Sequence, residues 1–187
     1  MNVFILCTGR CGSLTFAKAC SHITNYTSAH ESRIGVAGRK RLFYPENHIE
    51  VDNRLSWFLG RLDRAYGDDA FYVHLKREDE KVAVSFIRRY DMGIMLAYRR
   101  GMLMHRDVEQ TIEPMDLALD YCLTVNSNIT SFLKDKPMKM VINIETAQYD
   151  FTNFWDRIGA EGDIYAGLKE FDTTYNSSPA GGNIEAV

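Results

Sequence analysis

Residues 3–7, Val3-Phe4-Ile5-Leu6-Cys7, form an unbroken apolar run that stops at Thr8-Gly9. A run without polar alternation fits a strand covered on both faces, as in a parallel sheet, and not the half-exposed strand of an antiparallel one. Beyond a short glycine-containing turn, Phe16, Ala19, Cys20 and Ile23 recur at i, i+3, i+4 and i+7, which puts four apolar groups on one helix face. A buried strand, a tight loop and a helix in that order constrain the chain to an α/β architecture.

The alternation continues. Tyr26–His30 and His48–Asp52 read as strands, joined through a loop that holds Arg39-Lys40-Arg41 and Pro45. Leu55, Phe58, Leu59 and Leu62 mark a helix, Ala70–Leu75 a strand, and Ala83, Phe86, Ile87 and Tyr90 the buried stripe of the next helix. Met115, Leu119, Cys122, Asn126, Ile129 and Leu133 predict the longest helix, and Met138–Ile144 the strand after it. Phe151, Phe154, Trp155 and Ile158 carry another helix, Gly159 to Gly162 a break, and Ile164–Phe171 a last short helix. The expected architecture is three-layered: a mostly parallel sheet with right-handed crossovers and helices on both faces. It forms one domain over residues 1–175, followed by a flexible, polar, Gly-rich tail over 176–187. Ligands of such sheets bind at the carboxyl ends of the strands.

Composition narrows the function classes. At 187 residues, 45% hydrophobic and 25% charged, the chain can bury a core without disulfide staples, and fibrous and wholly disordered classes are excluded. The net charge of −3 supplies no excess that attracts nucleic acid or an anionic membrane, so any anion site is local. No apolar run approaches a membrane span and the start lacks a signal-peptide pattern, so the expected location is the cytoplasm. Cys7, Cys11, Cys20 and Cys122 show no CxxC pair and no zinc-finger spacing, which points to reduced thiols and no metal.

The loop Gly9-Arg10-Cys11-Gly12-Ser13-Leu14-Thr15 gathers two glycines, a guanidinium and two hydroxyls within seven residues. Backbone N–H groups of such a loop, aided by a helix N-terminus, converge on an anion. A plain glycine turn capped by Ser13 accounts for the composition equally well. A nucleotide-hydrolysing loop of the G-x-x-x-x-G-K-[ST] kind is excluded, because no Lys follows Gly12 and Lys18 lies a turn into the helix. A low-molecular-weight phosphatase or arsenate reductase loop needs an Arg six positions after its Cys, and from Cys7 that position holds Ser13. Arg10-Cys11-Gly12-Ser13 instead fits a basic residue followed by x-G-[ST], and here the chain resembles the sulfotransferases that use 3′-phosphoadenosine 5′-phosphosulfate.

A second motif supports the resemblance. Family members place an Arg just after a strand and a Ser eight positions later to hold the 3′-phosphate, and Arg77 and Ser85 stand eight apart after Phe71–Leu75. Alone, such an Arg is commonly solvated and such a Ser a small packing residue. The resemblance is close over roughly residues 1–90 and rests beyond them on element order. It implies the P-loop-type sulfotransferase fold and sulfuryl transfer to a hydroxyl or amine of a small-molecule or glycan acceptor, leaving adenosine 3′,5′-bisphosphate. It implies donor contacts at Gly9, Arg10, Cys11, Gly12, Ser13, Thr15, Arg77 and Ser85, with Arg10 as the catalytic cation. No metal, nucleic acid or membrane is implied, and no oligomeric state is encoded in these motifs.

An acceptor hydroxyl needs a base, and in the family a His or Glu ends a neighbouring strand. His30-Glu31 closes the second strand, expected beside the first. Glu31 is favoured slightly because a carboxylate there is frequent in bacterial relatives, while His30 suits neutral pH without tuning. A strand-end polar residue facing water is the plain reading of either. Glu50, Asp52, Asn53 and then Glu145 are weaker candidates. Leu14 stands where many relatives carry a second hydroxyl, and no Arg-Lys-Gly run occurs near the C-terminus. The acceptor cap is either minimal or built from the Arg39 loop and residues 88–113, where Arg88, Arg89, Arg99, Arg100 and Arg106 lie among methionines. Such a stretch suits an acidic or amphipathic acceptor, or is a basic solvated face. The rival readings are a phosphatase or reductase using Cys7 or Cys11 as thiolate, and a nucleotide-binding protein without turnover.

Overall fold

The computed structural model describes residues 1–105, 112–173 and 175. Five strands form one sheet: β1 (Val3–Leu6), β2 (Thr27–His30), β3 (His48–Val51), β4 (Phe71–Lys76) and β5 (Lys139–Asn143). The order is β2-β3-β1-β4-β5 and every pairing is parallel. The apolar run at the start of the chain is therefore the central strand, and all four of its residues are fully buried. One expectation is corrected: β3, not β2, lies beside β1, and β2 is the sheet edge.

The helices are α1 (Ser13–Cys20), α2 (Leu59–Tyr66), α3 (Asp79–Ile87), α4 (Gly93–Ala97), α5 (Pro114–Leu133), α6 (Ala147–Ile158) and α7 (Ile164–Lys169). Strand alternation sends neighbouring side chains to opposite faces, and β4 shows which helices each face meets. Tyr72 and His74 reach α5: the Tyr72 and Phe132 rings are 5.2 Å apart, and His74 Nε2 lies 3.0 Å from Asn126 Oδ1. Phe71, one residue before Tyr72 and in register with Val3, meets Phe154 of α6 at 6.3 Å on the other face. There Phe16 of α1 packs on Phe154 and Phe151 at 5.3 and 5.5 Å. Helices thus cover both faces, and burying a ring such as Phe16 contributes roughly 2–3 kcal/mol.

Element ends follow local chemistry. α5 starts with Pro114 in its first turn and Asp116 beside it, where a missing N–H costs nothing and a carboxylate meets the positive helix end. α6 stops at Gly159, whose left-handed backbone (φ 61°) suits glycine. Ile23 falls past α1 and makes an isolated bridge to Gly162. The stretch predicted as one helix around Leu55–Leu62 divides into a 3-10 turn, Asn53–Trp57, and α2. The tail over 176–187 lies outside the described residues. Among the described residues no helix is long and apolar enough to cross a membrane.

Candidate functional site

β1 delivers the chain at Cys7 into a turn that the backbone can make only with small residues at two points. Gly9 and Gly12 hold φ of 82° and 83°, and Arg10 between them is also left-handed at 57°. A Cβ on Gly12 would stand 2.6 Å from Cδ1 and Cγ1 of Ile144, and one on Gly9 would stand 2.7 Å from Asn53 Nδ2. The turn is held from below: Ser56 Oγ donates to the Cys7 carbonyl (3.2 Å) and Tyr121 Oη to that of Thr8 (2.9 Å). The first bond of α1 runs from Phe16 N–H to the Gly12 carbonyl (2.9 Å), so the amides of Ser13, Leu14 and Thr15 have no acceptor within the helix.

The two cysteines of this turn are fully buried. Hydrogen bonding from Cys7, and then the loop amides of Gly9, Cys11 and Ser13, hold the Cys11 thiol below its ordinary range against the opposing effect of burial. The same Cys7–Cys11 bond, with burial, pushes Cys7 up.

Three segments distant in sequence meet over the turn. Arg10 Nε donates to Ser85 Oγ (2.9 Å), and Arg77 Nη1 donates to the Arg10 carbonyl (3.2 Å). Arg77 sits just after β4 and Ser85 in the last turns of α3, so the strand order itself brings them beside the first loop. Burial, together with Arg89 and Arg77, lowers the pKa of Arg10 from its ordinary value. The three segments line one cavity of about 760 Å³ that also takes in Gly9, Gly12, Ser13 and Thr15. Cys11, fully buried, does not line it.

The far end of the cavity is built by β2 and β3. Although β2 is the edge strand, its end reaches α1: Ser13 Oγ and His30 Nε2 are 3.1 Å apart. Glu31 follows in a left-handed conformation (φ 52°) and its Oε2 pairs with Arg54 Nη1 at 2.7 Å. The fully buried Glu50 stabilises this corner by accepting from Ser32 N–H (2.7 Å), Ser32 Oγ (2.6 Å) and the His48 ring (3.0 Å). Asp52 is equally buried and holds Arg41 (2.7 Å) and the Arg54 amide (2.8 Å). Neither Glu50 nor Asp52 lines the cavity, which removes both as candidate bases; Asn53 and Glu145 do line it.

In overall structure the chain is similar to the sulfotransferase domain from the curacin biosynthetic pathway, with a TM-score of 0.64 over 92% of this chain and 78% of that one, at 15% sequence identity. The fold is sulfotransferase-like. No family model and no curated protein matches the sequence.

Within this sulfotransferase-like fold the motif residues Gly9, Arg10, Gly12, Ser13, Thr15, His30, Glu31, Arg77 and Ser85 share one cavity. Residues 38–42, offered as part of an acceptor cap, do not line it; Arg41 is instead spent on the buried pair with Asp52. Of residues 88–113, Arg88, Arg89, Met92, Gly93 and Ile94 line it, while 106–111 lie outside the described residues. Sequence reasoning missed Arg54, Ile144, Phe171, Thr173 and Tyr175 as wall residues. Arg54 carried a readable signal, an Arg just past a strand; the C-terminal wall carried none, because only tertiary packing brings it to α1. Lys18 Nζ lies 4.4 Å from the Tyr175 ring centre, and Tyr175 Oη donates to Glu170 at 2.5 Å.

Proposed function

We propose that this chain transfers a sulfuryl group from 3′-phosphoadenosine 5′-phosphosulfate to a hydroxyl or amine of a small-molecule or glycan acceptor. One observation carries the reading: the Arg10 loop, Arg77 and Ser85 converge on one cavity, linked through the Arg10–Ser85 and Arg77–Arg10 hydrogen bonds. The residues fit the nucleotide. A glycine turn that any Cβ would obstruct leaves backbone amides open to the 5′ group, and Arg77 with Ser85 offers a guanidinium fork and a hydroxyl to the 3′-phosphate. When bound, the nucleotide supplies the sulfuryl group and departs as adenosine 3′,5′-bisphosphate.

The chain's own residues do electrostatic and proton work. Arg10 is a fixed positive charge over the loop; a guanidinium does not give up a proton near neutral pH, so its part is to stabilise negative charge on the leaving oxygen. The loop amides of Leu14 and Thr15 and the Ser13 hydroxyl add donors at the same place. His30 takes the acceptor proton in this reading, because its Nε2 stands within hydrogen-bond reach of Ser13 at the loop, whereas the Glu31 carboxylate is engaged by Arg54.

A thiolate-dependent phosphatase or arsenate reductase is the second reading, favoured by the lowered pKa of Cys11. Burial of that sulfur counts against it, as do Ser13 and Ala17 at the positions six after Cys7 and Cys11, where an Arg is needed. A nucleotide-binding protein without turnover is the third. A thermal-shift panel with adenosine 3′,5′-bisphosphate, ATP, NADP and inorganic phosphate separates the first two, since a ligand at a hundred times its Kd stabilises by about 2.7 kcal/mol. Selective stabilisation by the bisphosphate is expected, and Arg77→Ala should abolish the selectivity. Stabilisation by inorganic phosphate alone supports the thiolate reading. Bisphosphate binding with no sulfated product from any acceptor supports the third.

A further inference from the structure

Arg89 is a cation in the cavity wall to which the sulfuryl-transfer reading gives no part in holding the donor nucleotide. It stands four residues beyond Ser85, one turn further along the same segment, where its amide bonds the Phe86 carbonyl at 2.8 Å and the chain continues to the wall residues Met92, Gly93 and Ile94. That direction leads away from Arg77 at the start of the segment. Another part of the cavity's wall is the His30–Glu31 corner with Asn53 and Arg54. With Arg77 and Ser85 assigned to the 3′-phosphate, Arg89 and the residues after it are wall left for an acceptor.

Its charge calls for a counter-charge. Arg89 Nε is buried and has no hydrogen-bond partner among the described residues, and a guanidinium N–H withdrawn from water without an acceptor is unfavourable. Arg89 also crowds Arg10, whose pKa falls partly because of it. The carboxylates of the cavity are engaged elsewhere: Glu31 pairs with Arg54 (2.7 Å), and Glu145 lies 3.7 Å from Lys81. The donor's own anionic ends have their own donors, the Arg10 loop for one and Arg77 with Ser85 for the other.

We infer that Arg89 binds an anionic group of the acceptor, so that the acceptor class is a hydroxyl or amine compound already carrying a carboxylate, phosphate or sulfate. This rests on the sulfuryl-transfer reading of the cavity. The planar fork of Arg89 suits two oxygens of such a group, and fixing it at the wall orients the reacting hydroxyl toward Ser13 and His30.

The test uses paired probes, 4-hydroxyphenylacetate and its neutral amide, titrated calorimetrically into the protein saturated with adenosine 3′,5′-bisphosphate. The wild type should prefer the acid by about tenfold or more. Arg89→Ala should bring the preference to about unity while its Kd for the bisphosphate stays within about threefold, and Arg89→Lys, with charge but no fork, should retain part of the preference. Persistence of the preference in Arg89→Ala overturns the inference. So does its absence in the wild type, whether both probes bind or neither does. A matching loss of bisphosphate affinity in Arg89→Ala also overturns it, by assigning Arg89 to the donor. If the wild type fails to bind the bisphosphate at all, the sulfuryl-transfer reading itself falls, and this failure is distinct from the others.

Discussion

Gly12 shows how a single missing methyl group shapes the site. Its positive φ and the 2.6 Å approach to Ile144 make two separate demands on the residue. Gly12→Ala should cost about 1–3 kcal/mol in urea unfolding and weaken bisphosphate binding by about tenfold or more. Adding Ile144→Ala relieves the clash but not the backbone strain, so the double variant should recover only part of the loss. At Cys11 the chemistry is different: the thiol is inaccessible, so alkylation of the folded protein should be slow and Cys11→Ser should keep bisphosphate affinity. Fast alkylation with loss of phosphate binding would favour the thiolate reading. His74 gives the molecule a pH dependence. Burial lowers its pKa to about 4, despite the Asn126 bond, while in the unfolded chain it titrates at its ordinary 6.5. The unfolded state therefore takes up the proton first, and stability falls as pH drops from about 6.5 to 4, by up to about 3 kcal/mol from this group. Urea titrations across that range should show the slope, and His74→Gln should flatten it.

At the level of elements, the edge strand β2 is the vulnerable part. It presents mostly half-exposed residues and owes its fixed end to Glu50, a carboxylate with no exposure to water that is compensated by three donors. Glu50→Ala removes the shared acceptor of the buried His48 ring and of the exposed Ser32; it should destabilise by about 1–3 kcal/mol and speed hydrogen exchange over residues 27–30. Unchanged exchange there would mean that Glu50 does not anchor the strand. The elements themselves were legible in proportion to their periodicity. The five strands stand within a residue of the segments read as strands, and α5 follows its three-to-four spacing from end to end. α4 and the π-helical Tyr98–Met102 were not foreseen, because Gly93 opens that segment and its apolar residues show no regular stripe. The 3-10 turn at Gly38–Leu42 was hidden among basic residues, one of which, Arg41, is buried only because Asp52 receives it.

Across the whole molecule, strand order does what local sequence cannot announce. Gly9–Thr15, Arg77 and Ser85 were readable as motifs because loop chemistry and spacing are local. Their meeting depends on β1 and β4 being neighbours in the sheet. His30 was readable as a strand-end group, but its strand was expected beside β1; it sits one strand further out and still reaches Ser13, because α1 begins over the ends of β2 and β3. The C-terminal wall belongs to no spacing rule and emerges only when the chain is folded; Arg89 was legible as one of several arginines suited to an acidic acceptor, but folding decides that Arg88 and Arg89 are the ones that line the cavity. In the proposed reaction one nucleotide bridges the first loop and the end of β4. A crystal structure with adenosine 3′,5′-bisphosphate decides whether it does. The 5′-phosphate is expected over the amides at the start of α1 and the 3′-phosphate within hydrogen-bond distance of Arg77 and Ser85; a 3′-phosphate in solvent, or a nucleotide bound outside the Gly9–Thr15 loop, would refute the bridge.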